Sequence, residues 1–399
     1  MKFSTKAVHI GQEPEETTGA VVPPVFMTST YAQDAPAEFK GYDYTRAGNP
    51  TFTRLERALA ALEGGEHATV FSSGLGALTA ILSTLSSGDK IVAVDDLYGG
   101  SYRLFTEVFE RFGIEPTFIP MQDLDTVDEA LAAGPKMVFI ETPTNPLLRI
   151  VDIAAVADRA RAVGALSVVD NTFASPYFQN PLALGADIVW HSSTKYIGGH
   201  SDVIGGAVIC NDADFSQAMG FARMAVGLNP SPFDVWLLSR SVKTLAVRME
   251  RHADNAAAIA AFLSSHSSVK KVYYPGLESH AGHAIARAQM SGFSGIVSAE
   301  LDLPLEQTKR FISSLRVFTL AESLGGVESL VDHPATMTHA SIPAAEREKA
   351  GLTDGLVRFS VGIEDAEDLI ADLEEGIQRA PCPRGPGPRS LHDPLRNPG

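Results

Sequence analysis

Lys195 stands in the run "WHSSTKYIGGHSD", residues 190–202, directly after the apolar stretch Ala186-Asp187-Ile188-Val189. Most lysines sit solvated on loops and need no such setting. Here Ser192, Ser193 and Thr194 precede the cation and Gly198 and Gly199 follow it. In a low-dielectric cleft the ammonium gives up its proton more readily, and the free amine can condense with an aldehyde. Three other runs have chemistry-bearing types after an apolar stretch. In "FSSGLGALTA", residues 71–80, the glycines allow close backbone approach, and a following helix would offer free N–H groups to an anion. No Gly-Lys-[Ser/Thr] follows and no GxGxxG is present, so neither the P-loop nor the dinucleotide fingerprint applies. In "VVDNTFASP", Asp170 closes an apolar segment, and in "ETPTNP" two prolines fix a turn around Asn145.

Each run alone has a plainer reading. The glycine turn is equally a tight turn with a serine cap. Asp170 can cap a helix, bind Mg²⁺ or hold a protonated ring nitrogen. Asn145 can belong to an ordinary turn. Together they describe one ligand with a phosphate (the glycine turn, Ser192, Thr194), a protonated ring nitrogen (Asp170) and an aldehyde (Lys195). That combination is pyridoxal 5′-phosphate (PLP), whose binding kit is an imine-forming lysine and an acidic partner for the pyridinium nitrogen.

The elements that must position these groups are legible as a series. "HATVFSS", "KIVAVDD", "EPTFIPM", "KMVFIETP", "LSVVDNTF" and "ADIVWHS" read as strands, with helical patterns in "GLGALTAILSTLSS", "SYRLFTEVFERFG", "TVDEALAAG" and "IVDIAAVADRARAVG" between them. The strands are short, β-branched and apolar throughout, which predicts a parallel sheet buried on both faces in an α/β domain. Ligands then bind beyond the carboxyl ends of the strands, where all four runs fall. From about residue 232 one or two long helices precede "VKKVYYP", "GIVSAELD" and "LVRFSVG" as strands, with helices at "LEQTKRFISSL" and "DAEDLIADLEEGIQR". This predicts a smaller α/β domain with a more mixed sheet. The expected organisation is an N-terminal arm over 1–60 with few periodic segments, a large domain over 61–245, a small domain over 246–379 and a disordered Pro/Gly/Arg-rich tail over 380–399.

Composition narrows the partners. The chain has 399 residues, of which 45% are hydrophobic and 20% charged, an ordinary globular mix. Its net charge of −16 argues against nucleic acid or an anionic membrane as main partner. Two cysteines, Cys210 and Cys382, make no disulfide framework or metal site. His191 and His200 have no ligand cluster near them, so no metal is expected. The first residues carry no signal-peptide core and no apolar run reaches membrane-helix length, so a cytoplasmic location is expected.

The runs "YDYTRAGNPT", "SSGLGA", "DDLYGG", "ETPTNPLL", "VVDNTFASP", "HSSTKYIGGHSD", "TLAESLGGVESL", "MTHAS" and "RFSVGIED" resemble, in order and spacing, the Cys/Met-metabolism family of PLP enzymes, over about residues 5–379. The resemblance implies PLP-dependent transferase fold type I, with a mostly parallel seven-stranded sheet, and a homotetramer of two intimate dimers. It implies that Lys195 is the Schiff-base lysine and proton shuttle and that Asp170 pairs with the pyridine nitrogen. Tyr98 would stack on the ring and handle protons. The Gly74–Leu75 backbone, Ser192 and Thr194 would hold the phosphate. Tyr44 and Arg46 would reach it from the neighbouring subunit. Arg358 would fork onto the substrate α-carboxylate, assisted by Asn145 and Ser323, although on a strand it can also make a structural salt bridge.

The resemblance also bears on the reaction. Glu322 beside Ser323 suits an ammonium on the distal arm of cystathionine and is similar to γ-acting members, which speaks against β-elimination. Gly100 stands where methionine γ-lyases carry a cysteine, which speaks against methionine. The expected activity is γ-elimination on L-cystathionine to cysteine, 2-oxobutanoate and ammonia. The alternative is γ-replacement on an O-acylated homoserine, with both in one enzyme a further option. A non-catalytic binding module would be expected to have lost the lysine, and an NAD enzyme would need the missing fingerprint.

Overall fold

A computed structural model describes residues 1–337 and 351–380. The expected tail from 381 onward, and most of the "MTHAS" run, lie outside them. Ala380, which the sequence reading assigns to the tail, is instead fully buried, and its carbonyl accepts from Arg310 Nε.

Among the described residues, twelve strands form two sheets. The first contains β1 (His67–Phe71), β2 (Lys90–Val94), β3 (Glu115–Ile119), β4 (Met137–Glu141), β5 (Leu166–Asp170), β6 (Ile188–His191) and β7 (Gly206–Cys210), in the order β1-β7-β6-β5-β4-β2-β3. The pairs among β2 to β6 are parallel, while β7 runs antiparallel to both β1 and β6. β4, β6 and β7 are buried along their whole length, as apolar strands covered on both faces must be. The sequence locates six of the seven strands that the resemblance implies, and β7 is the seventh. Its sequence, "GAVIC", is as apolar as its neighbours and does not announce its direction.

The second sheet contains β8 (Val269–Tyr273), β9 (Ile296–Leu301), β10 (Thr319–Leu320), β11 (Leu330–Asp332) and β12 (Leu356–Ser360), in the order β10-β11-β12-β9-β8. It is mixed, as expected, with only β10 and β11 parallel. The long helical stretch resolves into two helices, Pro232–Val242 and Leu245–Ser265.

The N-terminal region departs from expectation at its end. After the short helix α1 (Phe3–His9), the chain forms α2 (Pro50–Glu63) where few periodic segments were foreseen. Asn49 caps α2 by accepting from the Thr51 N–H, Pro50 opens it, and Gly64 closes it at φ 74°. Phe52, Leu55, Leu59 and Leu62 share a core with Val70 and Ile209. Among the described residues, no helix is long and apolar enough to cross a membrane.

Candidate active site

At the carboxyl ends of β4, β5 and β6 lies a cavity of about 320 Å³. It is lined by Gly74, Leu75, Tyr98, Asn145, Asp170, Ser192, Thr194, Lys195, Glu322, Ser323 and Arg358 among others, so eleven of the thirteen singled-out residues converge there. Tyr44 and Arg46 do not. They border a separate groove with Met27 and Asn229, and Arg46 Nη1 donates to the Met224 carbonyl at 2.6 Å.

One wall is the start of α3 (Gly74–Leu82). Ser73 caps it, taking the Gly76 N–H on its hydroxyl at 2.9 Å and the Ala77 N–H on its carbonyl at 2.9 Å. The Gly74 and Leu75 N–H groups have no intrahelical acceptor and remain for an anion. A Cβ at Gly74 would lie 2.8 Å from the Ser192 Cβ, so only glycine lets helix and Ser192 close together. Ser192 is placed by its N–H bond to Thr172 Oγ1 at 2.9 Å, and Thr194 by the Gly205 N–H at 3.0 Å. Trp190 donates its indole N–H to the Gly74 carbonyl at 2.8 Å, fixing the helix start to β6.

Asp170 ends β5 and is opposite Glu141 of β4 in the register. Burial pushes its pKa up, opposed by Thr172, whose N–H lies 2.9 Å away, and by His191. A carboxylate in this position is stabilised by a cationic N–H brought against it. His191 has a structural partner: its Nε2 is 2.5 Å from Glu63 Oε1, both fully enclosed. Among the described residues no cluster of His, Cys, Asp or Glu is placed to hold a metal.

Lys195 is largely buried. Burial, then the Arg358 charge, lower its pKa to about 8, against the opposing pull of Asp332 and Glu322. Its Nζ donates to Ser323 Oγ at 2.6 Å. Ser323 holds φ at 90°, a strained conformation for a serine, which aims its hydroxyl at the lysine while its carbonyl accepts from Arg358 Nη2 at 3.0 Å. Arg358 Nη1 donates to Asn145 Oδ1 at 2.7 Å, and Nη2 pairs with Asp332. Arg358 Nε and Asp332 Oδ1 are buried without a hydrogen bond among the described residues. The arginine is therefore held from several sides and keeps donor capacity for an incoming carboxylate.

The sequence reading missed Asp332 and Glu141. Glu141 lies in the quoted "ETPTNP", but nothing local shows that its oxygens take the N–H groups of Tyr98 and Asn145, each at 2.9 Å. Asp332 meets Arg358 only through the pairing of β11 with β12.

An anion cradle that excludes a Cβ, a half-buried acid able to take a cationic N–H, and a half-buried amine of lowered basicity fit the phosphate, ring nitrogen and aldehyde of PLP. Residues 4–378 match the family described as Cys/Met metabolism PLP-dependent enzyme. The chain is 50% identical to the cystathionine beta-lyase of Coxiella burnetii, covering 94% of this chain and 97% of that protein. It is 48% identical to the cystathionine gamma-lyase of Bacillus subtilis, covering 95% and 100%. The crystal structure of cystathionine gamma synthase from Xanthomonas oryzae pv. oryzae, in complex with aminoacrylate and cysteine, superposes with a TM-score of 0.93 at 48% identity, covering 95% and 98%.

Proposed function

The chain belongs to the Cys/Met metabolism PLP-dependent enzyme family, and within it we propose that it cleaves L-cystathionine by γ-elimination to L-cysteine, 2-oxobutanoate and ammonia. Its two-sheet architecture is PLP-dependent transferase fold type I, and its cofactor is PLP. Bound PLP supplies an electron sink for the substrate α-carbon.

The residue roles are part of the proposal. Lys195 anchors the cofactor, then takes the proton from Cα and moves protons at Cβ; its pKa of about 8 supports both duties near neutral pH. Ser323 holds the amine when it is free. Asp170 keeps the ring nitrogen protonated, and Tyr98 covers the ring. The Gly74 and Leu75 N–H groups, Ser192 and Thr194 hold the phosphate. Arg358, with Asn145, holds the substrate α-carboxylate. Tyr44 and Arg46, which line a different groove in their own chain, complete the phosphate site of a neighbouring subunit in a homotetramer. Cleavage of the Cγ–S bond expels cysteine as its thiolate, which takes up a proton, and water completes the conversion to 2-oxobutanoate and ammonia.

The observation that carries γ-elimination is Glu322. Its carboxylate lines the cavity beside Ser323 and is close enough to oppose the lowering of the Lys195 pKa. There it attracts the ammonium on the distal arm of cystathionine. A second reading, γ-replacement on an O-acylated homoserine by cysteine, uses the same residues and is favoured by the likeness to the Xanthomonas synthase. Product analysis of purified enzyme given L-cystathionine alone tests the choice. Cysteine with 2-oxobutanoate supports the lyase. Little turnover, with activity on an acylated homoserine plus cysteine, supports the synthase. Pyruvate with homocysteine would mean β-cleavage and overturn the reading of Glu322.

A further inference from the structure

Glu141 is the last residue of β4, is 7% exposed and borders the cavity. Its oxygens are divided between two loops. Oε2 takes the Tyr98 N–H and Oε1 takes the Asn145 N–H, each at 2.9 Å. The same loops meet again where Thr144 Oγ1 donates to Asp96 Oδ2 at 2.5 Å and where Arg149 lies 3.7 Å from Asp95. From Asn145 the connection continues to Arg358 on the second sheet, at 2.7 Å.

A carboxylate is an expensive group to bury beside another one, and Glu141 is opposite Asp170 in the register. Burial, then Asp170, push its pKa well up, and the two N–H groups pull it back. A group so costly in a cavity wall signals a local rule broken for a functional end. A single carboxylate accepts two converging N–H donors with both oxygens. An amide of the same shape accepts one and turns an NH₂ toward the other.

We propose that Glu141 is a positioning residue that sets Tyr98 and Asn145 with one carboxylate, so that the cofactor-covering ring and the Asn145–Arg358 carboxylate clamp take their places together. The inference rests on the roles proposed above for Tyr98, Asn145 and Arg358. It assigns Glu141 no contact with reacting atoms. Its loss is felt at two ligand sites at once, which a purely structural residue would not produce at unchanged stability.

The test compares Glu141→Gln with wild type in three measurements. These are PLP affinity of the apoprotein by absorbance, glycine affinity of the holoenzyme by spectral titration, and melting temperature. Glycine carries the α-carboxylate but no leaving group. The expected result is a loss in both affinities, roughly tenfold on the side whose N–H meets the amide NH₂, the scale of one unsatisfied buried N–H, and smaller on the other, with a melting temperature close to wild type. Loss of one affinity alone, loss of neither, or losses that track a fallen melting temperature would overturn it. Should Glu141→Gln fail to fold, Glu141→Asp decides, because it keeps two acceptor oxygens but withdraws them from the loops. Paired losses support the inference and wild-type affinities overturn it. Arg358→Ala is measured alongside. If it binds glycine as wild type does, the reading of the carboxylate clamp itself fails. If it loses glycine while Glu141→Gln keeps both ligands, only the role of Glu141 fails.

Discussion

Asp332 and Arg358 are directly opposite each other on antiparallel strands β11 and β12, and their side chains form an ion pair with 2% and 3% exposure. The structural salt bridge is therefore present in the very residue proposed as the substrate clamp. Arg358 is neutralised by Asp332 on one side and bonded to Asn145 and the Ser323 carbonyl on others.

Removing Arg358 leaves Asp332 buried and unpaired. Arg358→Ala is expected to destabilise the fold by about 3–5 kcal/mol. Adding Asp332→Ala should recover much of that loss without recovering affinity for an amino-acid substrate. Urea unfolding of the single and double variants checks the first part and ligand titration the second. A single variant as stable as wild type would contradict the pairing.

Lys195→Ala should abolish the yellow colour that survives dialysis against buffer and lower turnover by about 10³-fold or more. Absorbance before and after dialysis reads it directly. A variant that retains covalently held cofactor would show that another amine does the work.

The low basicity of Lys195 has a pH signature. Its folded pKa, about 8, lies below the ordinary value of 10.5, so the free amine already predominates between those limits in the folded chain. The rate of covalent PLP uptake by apoprotein should therefore rise with pH and level off above about 8. The sign for stability follows from the same shift. In that window the unfolded chain binds more protons, so this group's contribution to stability rises with pH through it. Uptake still accelerating near pH 10 would mean that the lysine keeps its ordinary basicity.

Gly74→Ala brings a methyl against Ser192 and should open the anion cradle. The expected effect is a loss of roughly tenfold in affinity for PLP, with a much smaller loss for pyridoxal, which lacks the phosphate. Fluorescence titration of apoprotein with both compounds separates a phosphate effect from general damage. Equal losses would count against the assignment of this helix start.

How much was legible depended on whether a signal was local. Lys195, Asp170 and Gly74 each follow an apolar strand within a few residues, and the strand-end rule gathers them without knowledge of contacts. The helix α2 carried its signals in plain view: Asn49 as cap, Pro50 at the first turn and Gly64 after the last. The surrounding arm is poor in periodicity, which hides them. Ser323 gives no hint of its φ of 90°, since the strain is imposed by what surrounds it. Asp332 and Glu141 acquire meaning from register and from loops 43 residues apart in sequence, as between Tyr98 and Glu141. Such pairings are set by tertiary structure. Tyr44 and Arg46 do not line the cavity of their own chain, and their action across subunits stands as a proposal.

The cavity draws on two separate parts of the chain, one ending at Ile204 and the other beginning at Glu322. On a ribosome adding about 5–20 residues per second, several seconds or more separate their synthesis. In that interval Lys195 has no Ser323 to bond to and no Arg358 charge beside it. It lacks equally the Asp332 and Glu322 carboxylates, whose pull opposes that of Arg358. The surroundings of this amine are thus put together in two instalments, and they are complete only when β12 is in place.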